Sequence, residues 1–304
     1  MLHFTLRQLR IFAAAARHQS FTRASEELHL SQPAVSMQIR QLEENVELPL
    51  FEQTGRQLFL TDAGRVLYGY VQRLEETIEE AGEVLEGMKG VHRGHLRVSV
   101  ASTANYFVAR LLAGFSKRFP EVSISLDVTN RERLLRQLAD NETDIVIMGE
   151  PPTDVELVAE AFMENPLVAI AAPDHPLADR RGIGLSELAE HRFVQRESAS
   201  GTRAAVKRFF EEHDLKVRPG LEMRSNEAIK QAIEAGLGVG MVSLHTLELE
   251  LETGRIVVLD VEGLPIIRHW YMVQRQGKRM TPVMQSFHDH VLEHAEEQVR
   301  LPDR

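Results

Sequence analysis

The amino-terminal fold is decided by SFTRASEELHLSQPAVSMQIRQLEENVELPLFEQTGRQLFL, residues 20–60. This stretch predicts two short helices joined by a tight turn and followed by a hairpin. Val35, Ile39 and Leu42 place an apolar stripe on the second helix, at the i, i+4, i+7 spacing of a face packed on a core. Ser31 precedes this helix and can cap it, and the proline in its first turn sacrifices no helical hydrogen bond.

The opposite face of the same helix is polar. Gln32, Ser36 and Arg40 can form hydrogen bonds with base edges or phosphates. A helix that packs on one side and offers polar groups on the other suits the major groove, and the turn at residues 54–56 predicts a wing beside it. An ordinary small helical domain explains each piece alone, but their order and spacing favour a winged helix-turn-helix over residues 1–60.

The charge of this amino-terminal module is balanced, although the whole chain carries a formal net charge of −10. Residues 1–60 contain six arginines and six glutamates and no lysine or aspartate, so the acidic excess lies after residue 60. A neutral module binds phosphate weakly as a single copy. We therefore expect two or more copies to act together on DNA, because tethering raises the effective concentration of the second.

The composition narrows the classes of protein further. The 304 residues, 43% of them hydrophobic, suffice for two or three domains with real cores. The absence of cysteine excludes disulfides, thiolate metal sites and thiol redox sensing. Neither a secretory signal nor an apolar run of membrane-spanning length is visible, so the sequence predicts a soluble cytoplasmic protein.

Residues 61–90 predict one long helix with a narrow apolar seam. The seam alternates spacings of four and three residues, the heptad pattern of a coiled coil, and glutamates flank it. Its members are Leu67, Val71, Leu74, Ile78, Ala81, Leu85 and Met88. A helix packed on its own domain is the alternative, but the narrow seam favours a dimerising linker.

From residue 91 to residue 304 predicted strands alternate with helices, which is typical of α/β folds. We expect two lobes, the first made of residues 95–162 and 268–304 and the second of residues 163–267. Each is interpreted as a βαβ unit with a parallel sheet, the second unit beginning with the strand at residues 167–172. Two such lobes form a hinged cleft whose ligand sites lie at the carboxyl ends of the strands.

Two loops in this region lead from a strand or loop into a helix and are rich in hydroxyls. Residues 101–105 form the first and residues 198–203 the second. Free N–H groups at a helix start attract anions, although Ser102 and Ser200 would equally serve as simple helix caps. Arg203 can grip a phosphate or carboxylate with two hydrogen bonds, or bridge the lobes to a glutamate.

No motif in the chain predicts catalysis. His288, His290 and His294 lack a matching carboxylate pattern, so we interpret them as exposed histidines rather than metal ligands. The glycines of residues 236–240 lead from a helix into a strand, the reverse of a phosphate-binding turn, and predict a helix C-cap followed by a close-packed strand. The sequence predicts no metal, no cofactor and no enzyme, with an enzyme on the same two-lobed fold as the rival from another class.

Over its full length the chain closely resembles the LysR-type transcriptional regulators. The motifs that carry the resemblance are Leu6–Leu9, Phe21–Ser25, Ser31–Ser36, Leu50–Glu52 and Leu60–Gly64. The resemblance implies an α/β protein with a winged helix-turn-helix, a linker helix and a two-lobed effector domain like the type 2 periplasmic binding proteins. It also implies a homotetramer on a pseudo-palindromic promoter, DNA bending, RNA polymerase as a partner, and transcription altered by a small metabolite.

This resemblance and the polar stripe together define the candidate residues. The DNA-binding candidates are Arg23, Ser31, Gln32, Pro33, Ser36, Gln38, Arg40 and, on the wing, Arg56. The effector-binding candidates are Ser102, Thr103, Asn105, Thr129, Ser200, Gly201, Thr202, Arg203 and Asn226.

Within the family the chain resembles the CbbR group, which regulates Calvin-cycle carbon-fixation operons. The stretches concerned are Ala16–His18, Leu111–Phe115, Met148–Pro152, Ser200–Arg203, Ser225–Gln231 and Ser243–Leu247. This likeness implies an anionic effector such as a phosphorylated sugar, phosphoenolpyruvate or NADPH. Regulation of another metabolic operon and an architectural DNA binder that ignores ligands are the alternatives.

Overall fold

The amino-terminal unit is built from a helical triplet, a hairpin and a long helix. Its elements are α1 (Leu6–His18), α2 (Phe21–Glu27), α3 (Gln32–Val46), β1 (Phe51–Thr54), β2 (Gln57–Leu60) and α4 (Asp62–Gly87). The computed structural model describes residues 4–54, 57–87 and 93–299, and its contacts divide the chain into two units, 1–85 and 86–304. The hairpin β1–β2 is the predicted wing, so the winged helix-turn-helix is confirmed.

The core of this unit follows the predicted apolar faces. Val35, Ile39 and Leu42 are at most 2% exposed, and the ring of Phe12 lies 5.4 Å from that of Phe51 at the base of the hairpin. Aromatic packing of this kind adds to the hydrophobic stabilisation of the junction between helices and wing. Val71 in the first half of α4 is fully buried in the same core.

Further along α4, the apolar side chains of the seam are not covered by other residues of the same chain. Leu74, Ile78 and Leu85 are 43%, 38% and 60% exposed. The helix therefore begins as part of its own domain and continues with an uncovered apolar stripe. Met88, the last member of the predicted seam, and residues 89 and 90 lie outside the described residues.

The second unit contains two α/β lobes. The first lobe opens with β3 (Gly94–Ala101), α5 (Asn105–Arg118), β4 (Val122–Thr129), α6 (Arg131–Ala139), β5 (Ile145–Met148) and β6 (Leu157–Glu164). The second lobe contains β7 (Leu167–Ala171), α7 (Leu185–Glu190), β8 (Arg192–Arg196), α8 (Gly201–Glu212), β9 (Arg218–Met223), α9 (Asn226–Glu234), β10 (Val239–Ser243), a 3-10 turn (Leu244–Thr246), α10 (Glu248–Glu252) and β11 (Val257–Val258). The chain then returns to the first lobe with β12 (His269–Arg275) and α11 (Pro282–Gln298).

Both sheets are mixed, which corrects the prediction of two parallel sheets. The first has the order β4-β3-β5-β12-β6, with β12 antiparallel to both of its neighbours. The second has the order β11-β7-β10-β8-β9, with β7 antiparallel to β10. The strand at residues 167–171 therefore does not begin the parallel unit; β8 does. The sequence does not predict β8, because it contains only two consecutive apolar residues, with Arg192 before them and Gln195 and Arg196 after them.

Two neighbouring chain segments join the lobes. The N–H of Asn165 donates to the carbonyl of Arg268 at 2.6 Å, and Leu167 exchanges two backbone hydrogen bonds with Ile266. The segments thus run antiparallel as a short ribbon. A ribbon of two strands bends more easily than either sheet, so it is the natural hinge of the cleft.

Two local predictions have different outcomes. Gly238 has φ +145°, and a Cβ there would lie 2.1 Å from the carbonyl oxygen of Arg192, which confirms a close-packed strand start. The interpretation of the carboxyl-terminal histidines as exposed is wrong. His290 is 3% exposed and bonds to the carbonyl of Leu111, because it lies on the buried face of α11, and the other two are only partly exposed.

Candidate functional site

The polar face of α3 is accessible, as a DNA-reading surface requires. Gln32, Pro33 and Arg40 are exposed, while Ser36 and Gln38 are partly exposed. Ser31, the N-cap of α3, is also exposed. Its hydroxyl accepts a hydrogen bond from the backbone N–H of Ala34 at 3.4 Å and so fixes the start of the helix. Arg23 on α2 is also exposed, whereas Arg56 lies outside the described residues. Base contact by these side chains stays a prediction.

A glutamate at the far end of α3 ties the recognition helix to the wing. Oε1 of Glu43 accepts the backbone N–H groups of Leu50 and Phe51 at 2.8 and 3.2 Å. Glu27 is engaged by Arg17 and His18, whose hydrogen bonds outweigh the effect of burial and lower the pKa of that carboxyl. Two of the six acidic groups are therefore committed to structure, which the charge count alone does not show.

Within the second unit, a cavity of about 370 Å³ lies between the lobes. It opens where β3 and β5 of the first lobe and β8 of the second end, the position predicted for ligand sites in such folds. Residues of the hinge, Asn165 and Arg268, form part of its lining. The cavity thus joins both lobes and the ribbon that connects them.

Positive charge dominates the lining. Four arginines contribute, Arg131, Arg196, Arg208 and Arg268, against two acidic residues, Glu150 and Asp154. Such an excess of guanidinium groups in a concave site attracts anions and pairs well with carboxylate or phosphate. The cavity is therefore suited to a small anionic molecule.

Arg196 is fixed by partners from both lobes. Its side chain is 4% exposed and forms two hydrogen bonds with Glu197, at 2.8 and 2.9 Å. It also donates to Oδ1 of Asn226 at 2.9 Å and to the hydroxyl of Ser102, across the cleft, at 3.3 Å. This network satisfies the guanidinium, so Arg196 shapes the cavity wall more than it adds unpaired charge.

Arg268 has the opposite character. Its Nε is buried and has no hydrogen-bond partner among the residues that the structure describes. Burial lowers its pKa to about 10, because removing water penalises the charged form. A guanidinium whose Nε is buried and has no partner among the described residues, in a ligand-sized cavity, is typical of a site that binds an anion.

The cavity brings together most of the predicted effector-binding residues. Those that line it are Ser102, Thr103, Thr129, Ser200, Gly201 and Thr202. The capping alternative for the two serines does not apply, because Ala104 precedes α5 and the hydroxyl at the start of α8 forms no capping hydrogen bond. The hydroxyl of Ser200 is therefore not used as a cap, while that of Ser102 accepts the hydrogen bond from Arg196 and keeps its own proton to donate.

Three predicted effector-binding residues lie elsewhere. Asn105 is exposed on α5, outside the cavity lining. Asn226 also lies outside the lining, and its side-chain oxygen accepts a hydrogen bond from Arg196. Arg203 bonds to Glu222 and to the carbonyl of Arg196, both in its own lobe. It neither bridges the lobes nor enters this cavity, because the helical rotation carries it to another face of α8.

Sequence analysis missed the arginines at positions 131, 196, 208 and 268, as well as Trp270 and Glu150. Arg131 opens a helix that follows a strand, a signal that the search for hydroxyl-rich loops passed over. Arg208 lies seven residues after Gly201, on the same face of α8, which is also a local signal. The other residues have no local signal, because they come together only through the fold.

Among the described residues no group of three or more histidine, aspartate or glutamate side chains is arranged to hold a metal ion. No helix in that part of the chain is long and apolar enough to cross a membrane.

The fold and the two sites define a DNA-binding regulator with a ligand-binding domain. Two family models match the chain: the bacterial regulatory helix-turn-helix of the lysR family over residues 6–65 and the LysR substrate binding domain over residues 89–296. The chain belongs to the LysR family of transcription regulators and is not an enzyme.

Several individual proteins are similar to this chain over most of its length or over its second unit. The RuBisCO operon transcriptional regulator of Allochromatium vinosum is 56% identical over 97% of each chain. The transcriptional regulator CbbR of Rhodospirillum rubrum is 46% identical over 92% of this chain and 93% of its own. The regulatory domain of CcmR from Synechocystis, solved in complex with 2-PG, is 40% identical, with a TM-score of 0.65, and covers 69% of this chain and 100% of that one.

Proposed function

We propose that this regulator controls carbon-fixation genes in response to a small anionic metabolite that binds between the lobes. The observation that carries the proposal is the buried, unpartnered Nε of Arg268 in a cavity with four arginines. The names of the relatives support the gene class, and the 2-PG complex of CcmR supports the ligand class.

The proposed assembly is a homotetramer on a pseudo-palindromic promoter site. The exposed Leu74, Ile78 and Leu85 of α4 give a partner helix an apolar stripe to cover. A second copy also compensates for the neutral charge of the amino-terminal module. In this proposal α3 enters the major groove, and Gln32 and Arg40 contact bases or phosphates.

The proposal is tested by a footprint on the divergent promoter beside the protein's own gene, with and without 2-PG, ribulose bisphosphate, phosphoenolpyruvate and NADPH. We expect one of these anions to change the protected region. The Arg40→Ala variant should need about 5- to 150-fold more protein to give the same footprint. The Arg268→Met variant should keep the footprint but lose its response to the anion. A footprint that none of the four compounds changes would contradict the assignment to carbon fixation and leave the family unchanged.

A further inference from the structure

The cavity between the lobes contains a carboxylate of the protein beside one of its arginines. Glu150 follows β5 in the first lobe, and its Oε2 lies 2.7 Å from a terminal nitrogen of Arg208 on α8 in the second lobe. Both side chains are more than half exposed, at 55% and 57%. The pair therefore connects the lobes at a part of the lining that solvent reaches.

The main chain of Glu150 is held in place by a second arginine. The guanidinium of Arg131 donates to the carbonyl oxygen of Glu150 at 2.5 Å. The side chain of Glu150 can therefore leave Arg208 without the loop moving, since its backbone has an anchor of its own.

The charges of the cluster respond to this one carboxylate. Its hydrogen bond raises the pKa of Arg208, and its charge partly offsets the lowering of the pKa of Arg268 by burial. Glu150 is thus the counter-ion at the exposed side of the cluster, while the buried Nε of Arg268 has no partner in the described structure.

We propose that Glu150 is a built-in competitor for the effector. Its carboxylate occupies Arg208 until an anionic group of the effector takes that position and displaces it from the cavity. This inference rests on the proposed function. An exposed ion pair contributes little net stability, so a ligand group of higher charge displaces it at small cost.

The arrangement also names the ligand class. One anionic group is needed for the buried Arg268 and a second, more highly charged one for Arg208. A metabolite with a single carboxylate satisfies Arg268 alone and leaves the Glu150–Arg208 pair intact. The effector is therefore a small molecule with two anionic groups, at least one of them a phosphate.

The test measures the Kd of the full-length protein for 2-PG by calorimetry. The Glu150→Gln variant should bind 2-PG about 3- to 10-fold more tightly, because no carboxylate of the first lobe then competes for Arg208. Glu212→Gln is the matched control for charge, since Glu212 lies 4.0 Å from the same arginine but in its own lobe. Glu248→Gln is the matched control for lobe contacts, since it removes the 2.5 Å pair with Arg110 that joins the lobes outside the cavity lining.

Each outcome decides the matter. Tighter binding by the Glu150 variant alone supports the proposal. Weaker or unchanged binding by that variant, with normal binding by the original protein, overturns it and leaves the proposed function standing. Equal tightening by either control variant also overturns it, because loss of any negative charge near Arg208, or of any pair between the lobes, would then explain the effect. Absence of 2-PG binding by the original protein and by the Glu150 variant overturns this inference together with the ligand assignment.

A second comparison tests whether the effector needs two anionic groups. Phosphoenolpyruvate carries a phosphate that pyruvate lacks, and equal affinities of the protein for the two compounds would contradict this requirement.

Discussion

Replacing Arg268 with methionine should stabilise the ligand-free protein and weaken effector binding. Burial lowers the pKa of this guanidinium from its usual value to about 10, which corresponds to a cost on the order of 3 kcal/mol for keeping it charged. The charge is present in both folded and unfolded chains at any pH below 10, so a measurement at pH 7 contains the full penalty. Methionine retains most of the apolar stem and removes the charge.

The expected gain is smaller than this net cost, because Arg268 is only partly buried and solvent screens part of its charge. We expect the free energy of unfolding of the ligand-free protein to rise by about 1–2 kcal/mol, or roughly 2–6 °C in Tm for a domain of this size. Loss of a charged hydrogen bond to the ligand, about 1.5–3 kcal/mol, should raise the Kd for 2-PG by about 10- to 150-fold. Thermal unfolding with and without 2-PG, together with calorimetry, measures both effects.

Arg203→Met is the matched control for this experiment. Arg203 bonds to Glu222 and to a carbonyl of its own lobe, so its replacement should leave the Kd within about twofold of the original value and lower Tm slightly. The reasoning is refuted if Arg268→Met lowers the Tm of the ligand-free protein and leaves the affinity unchanged. Arg268 would then be a structural residue of the hinge.

Three further predictions concern other parts of the chain. Arg40→Ala should weaken specific promoter binding by about 1–3 kcal/mol if it contacts a base, measured by fluorescence anisotropy at fixed salt, and an unchanged affinity would mark it as a solvated charge. Ile78→Glu should abolish self-association through α4, and sedimentation showing an unchanged oligomer would contradict the linker assignment. Asp144→Asn should lower stability by about 3 kcal/mol, because it removes the buried negative charge that lies 2.9 Å from a nitrogen of Arg97 and from that of Lys278. Burial opposes the charge of Asp144, but these partners lower its pKa, so the original protein should keep this stabilisation above pH 4 and lose it only as the pH falls further, which a Tm series in acid would reveal.

The amino-terminal domain was predictable because its signals are local. Caps, turn residues and the apolar stripe of α3 lie within the 41 residues from 20 to 60, and each is predicted from neighbours a few positions apart. The mixed sheets were less predictable. A strand that is buried on both faces looks the same in sequence whether its neighbours are parallel or antiparallel, so the direction of β7 had no signal.

The arginines of the cavity show a second limit on what the sequence predicts. Arg131 and Arg268 are far apart in sequence, and only the fold brings them into the lining of one cavity. On α8, however, the helical period places Arg203 and Arg208 on different faces of the helix. At about 100° per residue Arg208 returns to within about 20° of Gly201, whereas Arg203 is rotated by about 160°. Because Gly201 lines the cavity, the same period predicts that Arg208 lines it and Arg203 does not.

The bonds between the lobes constrain how a ligand can act. Two lie at the cavity, Arg208 with Glu150 and Arg196 with Ser102. Two others lie outside its lining, the hydroxyl of Tyr106 with the carboxylate of Glu227 and Arg110 with Glu248.

An effector changes DNA binding only if it prefers one arrangement of the lobes over another. In the proposed exchange an anion in the cavity replaces the bond between Arg208 and Glu150 and leaves the pairs of Tyr106 and Arg110 intact. We therefore expect the lobes to rotate about the α5 side of the cleft, and a ligand that shifts this equilibrium almost completely must favour one arrangement by a factor of about 10⁴.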